Sequence, residues 1–237
     1  LEAAFLHEDV GDRTAALLEE LCAEAGVRPA AIGMGVPGLA DLDTGVVKFL
    51  PNLPTRWREV PAGATLSARA GCPVYLLNDV RMAALGELIY GHGRTHGSLA
   101  FFALGTGIGG GITLDGRLLL GPMGANAEFG HMTVVPDGPP CSCGSRGCLE
   151  LYAGGPAITG QGVRLLLSGQ TTCLHDLVDG RAEWVNPRVM AQAAEQGDEA
   201  VRTVLVTAAQ YLGIIVANVI LTVHPSLVVF GGSVAEI

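Results

Sequence analysis

The stretch from Glu128 to Glu150, EFGHMTVVPDGPPCSCGSRGCLE, restricts this chain more than any other. One histidine, His131, precedes three cysteines, Cys141, Cys143 and Cys148. Zinc takes about four ligands in a tetrahedron, and three thiolates with one imidazole supply them. Cys141 and Cys143 flank Ser142, and Gly144 and Gly147 allow the sharp turn that returns Cys148 to the same centre. Pro136, Gly138, Pro139 and Pro140 make the intervening segment a loop. The competing reading is buried or disulfide-bonded cysteines, but a Cys141–Cys143 bridge would be strained and three thiols cannot all pair within the segment. The expectation is a structural zinc loop.

Carboxylates frame this loop, with Glu128 three residues before His131 and Glu150 two after Cys148. A structural metal needs neither. Carboxylates held beside a rigid loop suit the hydroxyls of a polyol, from which they accept hydrogen bonds.

The whole chain has 237 residues, 49% hydrophobic, 5% aromatic and 16% charged, with 34 glycines. That composition belongs to a folded α/β chain able to bury one large core or two smaller ones. Net charge is −9, and the 14 basic residues are scattered without the Lys/Arg cluster that grips phosphate backbones. This argues against nucleic-acid binding. Mean hydropathy is high, at +0.41. The best candidate for a membrane span, Tyr211 to Val223, is too short and contains Asn218, so it reads as a buried helix. Cys22, Cys72 and Cys173 are scattered and form no disulfide framework. Thiolates clustered for metal suit a reducing compartment, and no leader opens the chain, so the expected location is cytoplasmic.

Helical spacing covers Thr14 to Ala25, closed by Gly26. Ala31 to Val36 reads as a buried strand turning at Pro37-Gly38, Asp41 to Gly45 as a turn, and Val46 to Leu50 as another strand. Leu66 to Ala70 reads as helical. Val74 to Leu77 is a strand that runs into Asn78-Asp79, followed by a helix over Val80 to Tyr90. Polar residues thus sit at a strand's C-terminal end, where open α/β sheets place ligands. Ser98 to Leu104 is an apolar strand leading into Gly105-Thr106-Gly107-Ile108-Gly109-Gly110-Gly111. Ile112 to Leu114 returns through an Asp115-Gly116 tip, the mark of a β-hairpin. Val163 to Leu167 and Cys173 to Val178 read as helical or irregular, and Pro187 to Gln196 as a helix. Asp198 caps a long helix to about Val223, and Leu227 to Phe230 is a strand ending at Gly231-Gly232. The alternation indicates α/β architecture with a change of domain near Gly91 to Gly97, dividing the chain into 1–96 and 97–237.

Two further patterns carry chemistry. Backbone N–H groups of GTGIGGG can converge on a phosphate where no side chain intervenes, and Thr106 adds a hydroxyl. No Gly-Lys-Ser/Thr follows, so it is no Walker loop, and a tight bend between strands remains the alternative. Asp79 suits a base that takes a proton from an attacking hydroxyl. A helix N-cap is the alternative for Asn78-Asp79.

The order VPG, PNLP, LLNDVRMAALGE, FFALGTGIGGGI, EFGHMTVVPDG, CSCGSRGCLE and VVFGG resembles the ROK family of repressors, open reading frames and sugar kinases over nearly the whole chain. The resemblance implies an actin/hexokinase-like (ribonuclease H-like) fold of two α/β lobes about a cleft, with sugar at the hinge and ATP mainly on the second lobe. Carried over, Asp79 is the catalytic base, and Asn78, Glu128, His131 and Glu150 hold sugar hydroxyls, with Asn52 of PNLP joining them. Gly105, Thr106, Gly107, Gly109 and Gly110 meet the phosphates, Gly231 and Gly232 lie near the adenosine, and His131, Cys141, Cys143 and Cys148 bind zinc. The implied activity is phosphorylation of a hexose, glucose first, at its 6-hydroxyl by ATP with Mg. An N-acetylhexosamine is the other sugar class, and the resemblance also implies a homodimer. A sugar-responsive transcriptional repressor is the alternative. Family kinases open with an Asp-x-Gly-Gly-Thr hairpin, which does not occur here, and they continue into a further helix where this chain ends at Ile237. Asn126-Ala127 stands where Ala-Gly is common in the family.

Overall fold

The computed structural model describes residues 7–50, 57–121 and 123–237. The chain forms two compact units, residues 1–91 with 118–126 and residues 92–117 with 127–237. Both are mixed α/β.

In the first unit, α1 (His7–Ala25) ends as its composition requires, with Gly26 left-handed at φ 67° and its N–H on the Cys22 carbonyl. β1 (Ile32–Val36) pairs in parallel with β5 (Val74–Asn78), in the register Ile32 to Val74 through Val36 to Asn78. β2 (Leu39–Asp41), β3 (Val46–Phe49) and β4 (Arg58–Val60) form a separate antiparallel sheet. The turn between β2 and β3 closes on Asp41, whose Oδ1 accepts the N–H groups of Asp43 and Thr44. α2 (Ala62–Ala70) starts four residues before the predicted helix, because Gly63 packs directly on Gly45 and leaves no gap for a side chain there. Val36, Val47, Leu50, Trp57, Leu66 and Leu76 build the core. α3 (Asp79–Tyr90) then begins directly at the end of β5.

In the second unit the sheet order is β8-β7-β6-β9, with β6 (Leu99–Leu104) antiparallel to β7 (Ile108–Leu114) and parallel to β9 (Leu227–Gly231). β8 is Arg117–Leu118. The hairpin tip is the predicted one, Asp115 and Gly116 both being left-handed at φ 50° and 76°. β7 starts four residues before the predicted strand, inside the glycine run. Phe102 opposes Gly110, and the bare Gly110 leaves room for the Phe129 ring, which stacks on Phe102 at 4.3 Å. Large rings fill what the glycines leave open.

α4 (Glu150–Ala153) and α5 (Gly155–Leu167) follow the cysteine loop. α5 begins eight residues before the predicted segment. Its glycines hide the helical pattern, yet Gly162 is needed there, since a Cβ would fall 2.6 Å from the Met190 sulfur. α6 (Leu174–Leu177) and α7 (Pro187–Glu195) lead to α8 (Glu199–Val223), capped by Asp198 as expected. α8 differs from a buried helix. It runs 25 residues, is long and apolar enough to cross a membrane, and buries one stripe, Val201, Ala208, Ile215 and Val219. That stripe spacing is helical, and α4, α5 and α7 pack against the helix.

Candidate functional site

Asn78 and Asp79 stand where β5 becomes α3, and the structure separates their roles. Asn78 is the N-cap, its side-chain oxygen accepting from the N–H groups of Val80 at 3.1 Å and Arg81 at 3.2 Å. Its Nδ2 donates to the Gly38 carbonyl at 3.2 Å, tying the end of β5 to the turn after β1. Both ends of the amide are thereby engaged within the protein. Asp79 is the first helical residue, exposed, with Oδ1 taking the N–H of Val80 at 2.9 Å. Since Asn78 caps the helix, Asp79 is not required as the cap. The same unit places buried Arg81 against the main-chain carbonyl of Asn126. Asn52 and the rest of PNLP lie outside the described residues.

In the second unit the loop from His131 to Cys148 is closed by main-chain bonds: Val134 N–H to Gly147 O, Gly147 N–H to Pro139 O, and Cys141 N–H to Ser145 O. Gly147 has φ 61°, and a Cβ there would lie 1.6 Å from the Val135 carbonyl oxygen, so only glycine fits. This closure brings His131, Cys141, Cys143 and Cys148 together, their ligand atoms all within 4.8 Å of one another. Cys143 and Cys148 sulfurs are 3.7 Å apart, and Cys141 Sγ is 3.6 Å from His131 Nδ1. Zinc–sulfur bonds of about 2.3 Å and zinc–nitrogen bonds of about 2.0–2.1 Å require tetrahedral edges of about 3.8 Å and 3.6 Å. These two edges fit.

The thiols also compete for ionisation. Burial opposes a Cys141 thiolate, but the Cys143 backbone N–H and the neighbouring Cys148, Cys143 and His131 side chains outweigh it and bring the thiol down to about 7. Burial, reinforced by the other two thiols, pushes Cys148 up to about 12. A cluster that holds one thiolate easily and resists the next is one that a cation completes.

Glu128 immediately precedes the 3-10 turn Phe129–His131, and Glu150 opens α4. Glu150 Oε2 accepts the Ile108 N–H at 2.9 Å, so the carboxylate lies against the glycine run. Within that run, Gly105 N–H donates to Gly107 O, and Gly105 O accepts from Gly155 N–H at 2.8 Å. Gly109 and Gly110 are in β7, which confines the turn itself to Gly105, Thr106 and Gly107. Gly232, left-handed at φ 95°, lies where a Cβ would stand 2.4 Å from the Leu104 carbonyl oxygen. Three glycine-bearing backbone segments therefore meet at the end of β6: 105–107, 154–155 and 231–232. Sequence reasoning missed Gly154-Gly155; a Gly-Gly-Pro run opening a helix was the available signal.

This arrangement has counterparts. The chain is 38% identical over 232 residues to a glucokinase of Thermotoga maritima, covering 97% of this chain and 71% of that protein. It is 33% identical over 205 residues to a xylose repressor of Caldicellulosiruptor bescii, covering 84% of this chain and 49% of the repressor. A crystal structure of a ROK family glucokinase from Streptomyces griseus, in complex with glucose and AMPPNP, superposes with a TM-score of 0.79 at 34% identity, covering 93% of this chain and 72% of that one. The ROK family profile matches residues 6–237, and this chain belongs to the ROK family.

Proposed function

We propose that the chain carries out ATP-dependent phosphorylation of a hexose, glucose first, at the 6-hydroxyl. The observation that carries this reading is the division of labour at the β5–α3 junction. Asn78 caps the helix and leaves the exposed Asp79 carboxylate for a substrate proton. Phosphoryl transfer needs little more from a protein than a placed hydroxyl, a base, and positive or N–H groups around the phosphates. Asp79 is the base, Asn78 positions it, and Glu128, His131 and Glu150 bind sugar hydroxyls. Gly105, Thr106 and Gly107 offer the phosphate turn, Gly109 and Gly110 hold it in the sheet, and Gly231-Gly232 flanks it. Mg accompanies ATP.

Zinc fits His131, Cys141, Cys143 and Cys148 and supplies rigidity rather than Lewis-acid chemistry, since four protein ligands leave no open position. With Nδ1 turned toward Cys141, His131 keeps Nε2 for a hydroxyl. The similarity to glucokinases over most of the chain supports the kinase reading. The similarity to xylose repressors favours a second one, a sugar-responsive regulator.

Asp79→Asn in the intact protein tests the proposal. General-base catalysis contributes ~10²–10⁴ in rate. The variant should lose about that factor in kcat while keeping glucose affinity within about threefold, because the amide retains the shape and part of the hydrogen bonding. Unchanged turnover would remove Asp79 from the reaction. A wild-type protein that binds sugar and forms no ADP would favour the regulator.

A further inference from the structure

We propose that Glu150 is a positioning residue for the Gly105–Gly107 turn, so that one carboxylate serves both the sugar and the phosphate end of the site. This deepens the kinase reading and rests on it. A sugar contact alone does not account for what Glu150 touches. Its Oε2 takes the Ile108 N–H at 2.9 Å, the first amide after the turn. Gly107 is shaped around the same oxygen, since a Cβ there would lie 2.6 Å from Oε2. From the other side, a Cβ on Gly154 would meet the Glu150 carbonyl oxygen at 2.7 Å and the Thr106 carbonyl oxygen at 3.5 Å. The turn is thus seated on Glu150 and on the residues that follow it. Gly155 N–H, donating to Gly105 O at 2.8 Å, closes the seat.

Glu150 is in turn held in place from the cysteine loop. Cys148 is two residues earlier, and Leu149 between them is fully buried and donates its N–H to Met132 O. A metal bound at Cys148 therefore fixes the start of α4, which fixes the carboxylate, which fixes the turn. The carboxylate's charge is unfavourable beside a phosphate, and a hydrogen bond to Ile108 does not require the full charge. Its retention fits a group that also accepts from sugar hydroxyls, where a second acceptor oxygen is needed. Sugar bound to Glu150 and nucleotide bound at the turn share this one side chain, and any coupling between them is reciprocal.

The test uses Glu150→Ala, Glu150→Gln and Gly107→Ala in the intact protein, with two measurements. The first is amide exchange at Thr106, Gly107 and Ile108 by NMR. The second is calorimetric binding of AMPPNP without sugar, and of glucose without nucleotide. Glu150→Ala should speed Ile108 exchange by at least about tenfold and weaken AMPPNP by a similar factor. Glu150→Gln keeps an acceptor oxygen for Ile108, so its exchange and AMPPNP affinity should stay near wild type while glucose weakens. Gly107→Ala keeps the charge but displaces Oε2, and should reproduce the Glu150→Ala exchange and AMPPNP losses. It also decides the matter should Glu150→Ala fail to fold. Wild-type exchange and AMPPNP affinity in both Glu150→Ala and Gly107→Ala would overturn the proposal. A wild-type protein binding neither glucose nor AMPPNP would sink the kinase reading; the exchange measurement would then still report whether Glu150 holds the turn.

Discussion

Replacing Asp198 by alanine should cost the second unit about 3–4 kcal/mol, and the structure supplies the reasons. Asp198 is buried at the N-terminus of α8 and accepts hydrogen bonds from Thr172 Oγ1 at 2.5 Å, Cys173 N–H at 2.8 Å and Val201 N–H at 3.1 Å. The last is an N-cap bond, worth ~1–2 kcal/mol on truncation to alanine. The other two leave donors without an acceptor in a dry place, at ~1–3 kcal/mol each. Thr172 can rotate its hydroxyl and the terms are not additive, so the total falls below their sum. For a unit of this size each kcal/mol moves Tm by ~2–4 °C, giving a drop of about 6–16 °C.

The pH dependence has a definite sign. Burial raises the Asp198 pKa, but the Thr172 hydroxyl and the N–H groups of Val201, Cys173 and Ala200 outweigh it, and the net shift is downward. A depressed carboxylate contributes stability above its unfolded pKa of ~3.9, and that contribution disappears as pH falls through the lower folded value. Urea melts followed by circular dichroism, with separate transitions fitted for the two units, should therefore show a constant gap between wild type and Asp198→Ala from pH 5 to 7 that narrows progressively as pH falls below about 4. A loss under about 1 kcal/mol, or a gap indifferent to acid, would refute the argument.

Two further outcomes are expected. Cys143→Ser should lower metal content and weaken glucose by at least about tenfold, although Cys143 is an exposed loop residue, while AMPPNP, which feels the loop only through the start of α4 and Glu150, should weaken less than glucose does; metal analysis and calorimetry on folded protein read both. Gly110→Ala should cost ~1–3 kcal/mol, because its Cβ would stand 2.2 Å from the Phe129 ring and overpack the stack with Phe102; thermal melts measure the loss, and a glucose titration shows whether the displaced ring drags Glu128 and His131 with it.

Much of this fold was legible because local chemistry and tertiary demand agree. Asp198 is an acceptor at the start of a long apolar run, and it caps α8. Asp115-Gly116 is a hairpin tip by type and by conformation. His131 and the three cysteines converge because Gly147, Gly144 and the prolines dictate a closed loop. Disagreement arose where glycine served packing rather than turning. Gly109 to Gly111 read as a bend, but they form a strand in which the Phe129 ring occupies the space above Gly110, and no single-chain periodicity carries that information. Gly155 and Gly162 hid the first half of α5 in the same way. The link from Glu150 to Ile108 joins residues 42 positions apart and had no sequence signal at all. Ala127 did have one: it adopts φ 62°, and it stands where the resemblance puts a glycine.

β9 has consequences for anyone who handles the chain in solution. Among the described residues it pairs on one side only, with β6, and Phe230 in it is exposed. Its sequence, LVVFG, carries no charge and no proline, the two devices by which outer strands discourage other chains from adding to them. Such an edge is a template for intermolecular pairing. In residues 1–237 taken alone, aggregation should begin there, growing with concentration and binding thioflavin; Phe230→Lys should suppress it, as would any further strand that pairs with this edge.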